Sequence, residues 1–281
     1  MSLKLMYITN NVNVAILAEK SGIDRIFIDM EYIGKSDRQG GMDTVQSYHT
    51  IEDIESIREV ITESELLVRC NPIHDATEEY CSSEEEINRI IQAGADIIML
   101  PYFKTVEEVE IFLNLVDGRA KTIPLVETPE AVALIDEILE LDGIDEIFVG
   151  LNDLSLGYKK SFMFELLSDG TVEYLCNRFE RKGIPYGFGG IASIGKGLLS
   201  AEYVIGEHYR LGSTSVILSR CFCDLRKIKE LKEVEWILQN GVKEIREYEE
   251  YCRCQDFLFF ENNQEVTEHI IHSITRRLIA K

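Results

Sequence analysis

Three phrases of nearly the same form recur along the chain: SGIDRIFID (Ser21–Asp29), AGADIIMLP (Ala93–Pro101) and DGIDEIFVG (Asp142–Gly150). Each sets a glycine two residues ahead of an aspartate or its equivalent, followed by an apolar run. Glycine supplies the left-handed stop that ends a helix. A short apolar run between turn residues reads as a strand buried on both faces. The phrase therefore marks places where a helix hands the chain over to a strand. Strand-helix-strand units of this length make right-handed crossovers, so the strands they join run parallel.

Other strands fall into the same rhythm. Lys4–Thr9, Asp24–Asp29, Glu65–Asn71, Ala95–Pro101, Thr122–Glu127, Glu146–Leu151, Ile184–Gly190 and Ser215–Arg220 give eight strands alternating with helices. That count predicts an α/β protein of the (β/α)8 TIM-barrel class with a C-terminal helical extension, in preference to an open doubly wound sheet. A chain of 281 residues, 45% hydrophobic, has the length and core for one such barrel. The expected division is a barrel over residues 1–225 and C-terminal helices over 226–281, packed on the barrel or exchanged with a neighbouring subunit. Capping pairs mark several helix starts: Thr50 with Asp53, Ser83 with Glu86, Thr105 with Glu108. Pro129 at a first helical position marks another. DFLFFENN reads as a break before a last helix over Glu265–Ile279. The polar insert from Ile33 to Tyr48, carrying Gly34, Gly40 and Gly41, has the length of a lid or binding loop.

A net charge of −21 argues against nucleic acid or an anionic membrane as partner. No apolar run approaches the length of a bilayer span, and no basic-then-apolar opening marks export. Seven cysteines, an odd number, then predict reduced thiols in the cytoplasm. Cys221/Cys223 and Cys252/Cys254 form two C-x-C pairs, for which packing is the expected role and a zinc site the alternative.

Chemistry is expected at the strand exits, where barrels build their sites. Those exits carry Asp29, Glu31, Arg69, Glu127, Asn152, Asp153 and Arg220. Glu127 closes one apolar strand and Asp153 follows the next, so both emerge at the same edge of the sheet. Two carboxylates there repel by about 4 kcal/mol at ~4 Å with an effective dielectric of ~20. Either one takes up a proton or a cation sits between them. With oxygen ligands alone, that cation is a hard divalent ion, Mg²⁺ or Mn²⁺. The plain alternative has Glu127 capping the next helix and Asp153 capping a turn. Arg69 suits an anionic substrate through its planar fork, or else it pairs with Asp29 or Glu31. The turn Gly150-Leu151-Asn152-Asp153 offers backbone N–H groups to a substrate carboxylate. His49, where the insert ends, is a candidate acid or base or a surface cap. His208 is expected to be structural, and His74 stays open. His269 and His272 read as solvent or subunit contacts. The Gly-rich GGIASIGKG is a weak anion-binding candidate, with Lys196.

Several of these motifs resemble the HpcH/HpaI aldolase and citrate lyase β-chain family: IDMEY (Ile28–Tyr32), Val68-Arg69, GADIIMLP, and VET with GIDEIFVGLNDLSLG. The likeness covers roughly Gly22 to Gly157 and is looser beyond. It implies a phosphoenolpyruvate/pyruvate-type TIM barrel, commonly oligomeric, with C-terminal helices often exchanged between neighbours. It further implies that Glu127 and Asp153 hold the divalent cation and that Arg69 binds the keto acid and steadies an enolate. Gly150 to Asp153 would contact the substrate carboxylate. Asp29 and Glu31 would orient metal-bound water and its neighbours. One departure stands out: Tyr32 occupies the place where the family's aldolases usually carry a histidine base. With an ordinary pKa near ~10, a tyrosine is a poor base at neutral pH. Tyr32 as a proton donor, or His49 or a metal-bound hydroxide as the base, are the substitutes.

The resulting expectation is a carbon–carbon lyase or aldolase acting on a 2-keto acid and an aldehyde, in a homo-oligomer. An acyl-CoA lyase of the citrate or malyl type is one alternative, although it wants a basic groove that this acidic chain does not advertise. A barrel that binds a keto acid without catalysis is the other.

Overall fold

The structure is a computed structural model that describes residues 2–35, 47–228 and 230–280. Most of the expected lid, residues 36–46, lies outside the described residues. Eight strands, β1 (Lys4–Ile8), β2 (Arg25–Asp29), β3 (Glu65–Arg69), β4 (Ile97–Leu100), β5 (Lys121–Val126), β6 (Ile147–Val149), β7 (Tyr186–Ile191) and β8 (Ser215–Leu218), follow one another around a closed parallel barrel. β8 pairs back onto β1, with Leu5 opposite Val216. The expected strands are all present, their ends shifted by a few residues.

The repeated phrase acquires a physical reason. Gly22, Gly94 and Gly143 have φ of 86°, 100° and 96°, which a side chain would strain. The aspartate that follows reaches sideways to the strand before it. Asp24 accepts from the Leu5 N–H at 2.8 Å, Asp96 from Leu66 at 2.7 Å and Asp145 from Thr122 at 2.8 Å. Each carboxylate satisfies an N–H near the start of a strand and helps fix the register of the next.

Side chains alternate between the two faces of a strand. Met6, Phe27, Leu67, Ile97, Met99, Ile123, Leu125 and Phe148 form the apolar plug inside the barrel. Their neighbours in the chain, such as Ile26, Ile28, Val68 and Val126, pack outward against the helices. The inward parity continues past the plug at both ends. Below it, Arg25 is 0% exposed and bonds to Glu65 and Glu146, the latter also held by Lys4 at 3.2 Å. Above it stand Asp29, Arg69 and Glu127.

The barrel is wrapped by α1 (Val12–Lys20), α2 (Ile51–Arg58), α3 (Ser83–Gln92), α4 (Val106–Val116), α5 (Pro129–Ala133), α6 (Ile135–Ile138), α7 (Leu151–Gly157), α8 (Glu165–Ser168), α9 (Thr171–Lys182) and α10 (Ala201–Arg210). α11 (Leu231–Arg253) packs on α1, and α12 (Phe257–Ile279) on α10. Buried Glu249 of α11 accepts from the Leu3 N–H at 2.7 Å and the Tyr209 hydroxyl at 3.0 Å. Asn263 of α12 donates to Glu207 at 2.8 Å, across a contact that only a glycine at 206 leaves open.

Local expectations needed correction in three places. α12 begins at Phe257, capped by Asp256, so DFLFFENN is helix rather than a break. The helix opened by Pro129 is two short pieces meeting at Leu134. Ser82, not Ser83, caps α3, accepting from the Glu85 N–H. The capping pairs Thr50–Asp53 and Thr105–Glu108 are formed. Among the described residues no helix is long and apolar enough to cross a membrane.

Candidate active site

Glu127 is the residue after β5, on the inward parity of Ile123 and Leu125, and Asp153 lies in the first turn of α7. With Glu31, two residues beyond β2, they bring three buried carboxylate oxygens within 4.8 Å of one another. Gly150 makes this approach possible. A Cβ there would lie 2.6 Å from Glu127 Oε2 and 2.8 Å from its Cβ. The capping alternative for Glu127 does not hold: Thr128 caps α5, while Glu127 Oε1 accepts from the Tyr102 N–H at 3.0 Å. Asp153 Oδ1 accepts from Asn152 Nδ2 at 3.3 Å. Burial, then the charges of Glu31 and Asp153, push the Glu127 carboxyl well above its ordinary range, against the pull of Arg69 and the Tyr102 N–H. Three buried oxygen donors that repel each other fit a hard divalent cation. Glu31 thus stands among the candidate ligands, closer in than the expected role of orienting metal-bound water and its neighbours.

Beside this cluster lies a charge network. Arg69 grips Asp29 with both edges of its fork, Nε to Oδ1 and Nη2 to Oδ2, each at 2.9 Å. Its Nη1 lies 3.3 Å from Glu31 Oε2, and its guanidinium sits 5.7 Å from the Phe27 ring centre. Buried Lys35 completes the network, 2.9 Å from Asp29 and 3.2 Å from Glu31. Burial alone would raise the Asp29 carboxyl, but Arg69 and Lys35 hold it well below its ordinary value. The fork of Arg69 is therefore engaged with Asp29 and Glu31, with further N–H groups left over from its five donors. Two cations face four carboxylates, an excess of two negative charges that one divalent ion balances.

Tyr32 and His49 stand on the far side of Glu31. The N–H groups of Tyr32 and Ile33 both donate to Asn71 Oδ1 at 3.0 Å, and Asn71 Nδ2 donates to Glu86 at 2.7 Å. Glu86 is thus not part of a capping box but a buried brace for the loop that carries Glu31. Ser83 turns instead to the His74 N–H at 2.8 Å. The Tyr32 ring lies 5.4 Å from that of Tyr80. Burial and the charge of Glu86 push its hydroxyl up, away from use as a base. His49 Nδ1 accepts from the Asp29 N–H at 3.0 Å. Its ring proton therefore sits on Nε2, and no lone pair is left for a base. Burial also lowers its pKa.

The remaining candidates separate from the site. The Gly150 N–H donates to the Val126 carbonyl at 3.0 Å, so Gly150 contributes room rather than a donor. In GGIASIGKG the Gly195 N–H serves Glu202, with both carboxylate oxygens at 3.0 Å, so a side chain of the protein already fills that loop. His74 bonds the carbonyls of Pro72 and Cys81. His208 is buried, stacked on Phe188 with ring centres 3.8 Å apart. Cys221 and Cys254 are exposed, Cys223 and Cys252 buried, and all seven cysteines are free. Among the described residues the acidic trio, not the cysteines, is the group that could hold a metal ion. Lys35, Asn71 and Glu86 were not found by sequence reasoning. Lys35 stands four residues after Glu31, a spacing that reading the strand exits alone passes over, and Glu86 at capping distance from Ser83 imitates a helix start.

Two cavities are lined by acids of the cluster. One of about 280 Å³ is lined by Glu127 and Asp153 with Tyr102, Lys104, Thr128 and Leu156. The other, about 480 Å³, is lined by Glu31 with Tyr32, Lys35, Tyr48, His49 and Tyr80. Arg220 lines neither.

A family model described as HpcH/HpaI aldolase/citrate lyase matches residues 5–167. No curated protein matches the chain at a significant level. Among solved structures, an HpcH/HpaI aldolase/citrate lyase family protein from Burkholderia cenocepacia J2315 is 14% identical with a TM-score of 0.58, covering 88% of this chain and 94% of its own. An HpcH/HpaI aldolase from Desulfitobacterium hafniense DCB-2 is 16% identical with a TM-score of 0.54, over 88% and 93%. The citrate synthase SbnG is 17% identical with a TM-score of 0.57, over 77% and 85%. At these identities the solved structures establish the barrel and not the substrate.

Proposed function

Because the chain belongs to the HpcH/HpaI aldolase/citrate lyase family and is a carbon–carbon lyase, we propose that it works on a 2-keto acid with a divalent cation held by Glu31, Glu127 and Asp153. The observation that carries this reading is the approach of three buried carboxylate oxygens to within 4.8 Å. When bound, Mg²⁺ or Mn²⁺ supplies Lewis-acid polarisation of substrate oxygens.

The chain's own residues do the rest. Arg69, fixed by Asp29, presents its remaining N–H groups to the enolate oxygen, a preorganised charge that need not reorient as the enolate forms. Lys35 and Arg69 together neutralise Asp29 and Glu31, so that the excess charge of the site resides on Glu127 and Asp153. The Asn152 N–H, in the first turn of α7 where Gly150 makes no side-chain cap, meets the keto acid's carboxylate. Neutral His49 offers Nε2–H as a hydrogen-bond donor to a carbonyl oxygen. Acidic linings favour a keto acid over a CoA thioester, whose diphosphate calls for cations.

Exchange of pyruvate methyl protons into D₂O, followed by proton NMR, tests the reading. Exchange that needs Mg²⁺ or Mn²⁺, stops on chelation and is lost in Glu127→Ala is the expected result. Exchange that survives both treatments refutes it.

A further inference from the structure

We propose that the 480 Å³ cavity on the Glu31 side of the cluster is the acceptor subsite, and that it takes an uncharged aldehyde bearing an aromatic ring. This assignment rests on the keto-acid reading of the acid cluster. Glu31 lines this cavity, while Glu127 and Asp153 line the smaller one, and the three ligand atoms lie within 4.8 Å. Two substrate fragments that must meet at one centre therefore have a cavity each. The larger cavity is about three times the ~150 Å³ that holds a benzene molecule in a protein core, enough for a ring with substituents.

Its walls set the chemistry. The Tyr32 and Tyr80 rings, 5.4 Å apart and tilted by 44°, make a corner that a third ring can enter edge-on or offset. Tyr80 is held in place by a turn in which its N–H donates to Thr77 Oγ1 at 3.1 Å and its carbonyl accepts from the Thr77 N–H at 2.8 Å. Tyr48 adds an exposed ring to the lining. An aldehyde carrying a carboxylate would need a cation here. Lys35 is already bridged between Asp29 and Glu31. His49 is neutral, because its Nδ1 accepts a backbone N–H. Glu79 adds a further acid to the lining.

In the forward step C3 of the enolate gives its electron pair to the aldehyde carbon, and a carbon–carbon bond forms. The carbonyl π pair moves onto oxygen, which His49 Nε2–H steadies. That oxygen takes up, through solvent, the proton lost from C3 on enolisation. The product is a 4-aryl-4-hydroxy-2-keto acid, and cleavage runs the same steps backwards.

The test compares benzaldehyde with glyoxylate as acceptors for pyruvate in the presence of Mg²⁺. Benzaldehyde is expected to have the higher kcat/KM by tenfold or more. Tyr80→Ala is expected to lower that ratio at least tenfold, and Tyr80→Phe to preserve it. A preference for glyoxylate, or a ratio that Tyr80→Ala leaves unmoved, overturns the acceptor assignment alone when the wild-type protein exchanges pyruvate protons without aldehyde. Absence of that exchange overturns the underlying reading and the assignment with it.

Discussion

Replacing Glu127 by Gln separates a metal-ligating acid from a merely structural one. Two unit charges 4.8 Å apart repel by about 3.5 kcal/mol at an effective dielectric of about 20. Glu127 faces two such neighbours, Glu31 and Asp153. The fold need not bear the whole of this, since the group can take up a proton instead. Holding a proton at pH 7 on a group of ordinary pKa 4.5 costs roughly 3 kcal/mol, so that figure caps the penalty. Glutamine keeps the shape and the acceptor for the Tyr102 N–H but carries no charge. In chelator, Glu127→Gln is therefore expected to be more stable than wild type by up to about 3 kcal/mol, or several degrees in Tm. With its folded pKa raised, Glu127 contributes most at low pH, and that contribution fades as pH climbs from the ordinary value through the raised one. The advantage of the variant thus grows with pH. Adding Mg²⁺ at a hundredfold excess over its Kd should stabilise wild type by about 2.7 kcal/mol and the variant far less. Urea or thermal unfolding of both proteins, with EDTA and with Mg²⁺, reads all of this. A variant less stable than wild type in EDTA, or one that keeps the Mg²⁺ shift, refutes the reasoning.

Gly150→Ala drives a Cβ to 2.6 Å from Glu127 Oε2. It should weaken Mn²⁺ binding about tenfold or more while costing about 1–3 kcal/mol of stability, checked by electron paramagnetic resonance titration and unfolding. Burial holds His208 down to about 3, so the unfolded chain takes up a proton below about pH 6.5 that the folded one refuses. Stability should be unaffected by this group above that pH and fall by about 2 kcal/mol on reaching pH 5. His208→Gln should flatten that slope in urea titrations run at both pH values. Arg25→Met leaves Glu146 and Glu65 without their buried partner and should cost about 3–5 kcal/mol in denaturant unfolding. It lies below the apolar plug, so Mn²⁺ affinity of the folded variant should persist.

Much of the upper rim was legible because its cues are local. Glu127 and Asp153 each follow an apolar run within a residue or a few, so strand, exit and acid are read together. The period of two adds a signal that reading the exits alone passes over: counting back from Glu127 through Leu125 and Ile123 puts its side chain inside the barrel. The same count joins Asp29 to Phe27 and Arg69 to Leu67. Glu86 shows the opposite case. Three residues after Ser83 it has the spacing of a capping box, yet its carboxylate is buried against Asn71, because satisfying Asn71 in the interior matters more than capping an exposed helix end.

By itself the sequence determined the alternation of strands and helices, the handover glycines with their aspartates, and the two acids that end β5 and follow β6. Those features depend on neighbours within one turn or one strand, and short-range sterics and hydrogen bonding decide them. Only closure of the barrel decided that Glu31 joins those acids, that Lys35 folds back to neutralise Asp29, and that Arg69 is clamped rather than loose. Glu31 and Arg69 meet charges from distant parts of the chain and Lys35 meets acids four and six residues before it, all in an interior where an unpaired ion is too costly to leave.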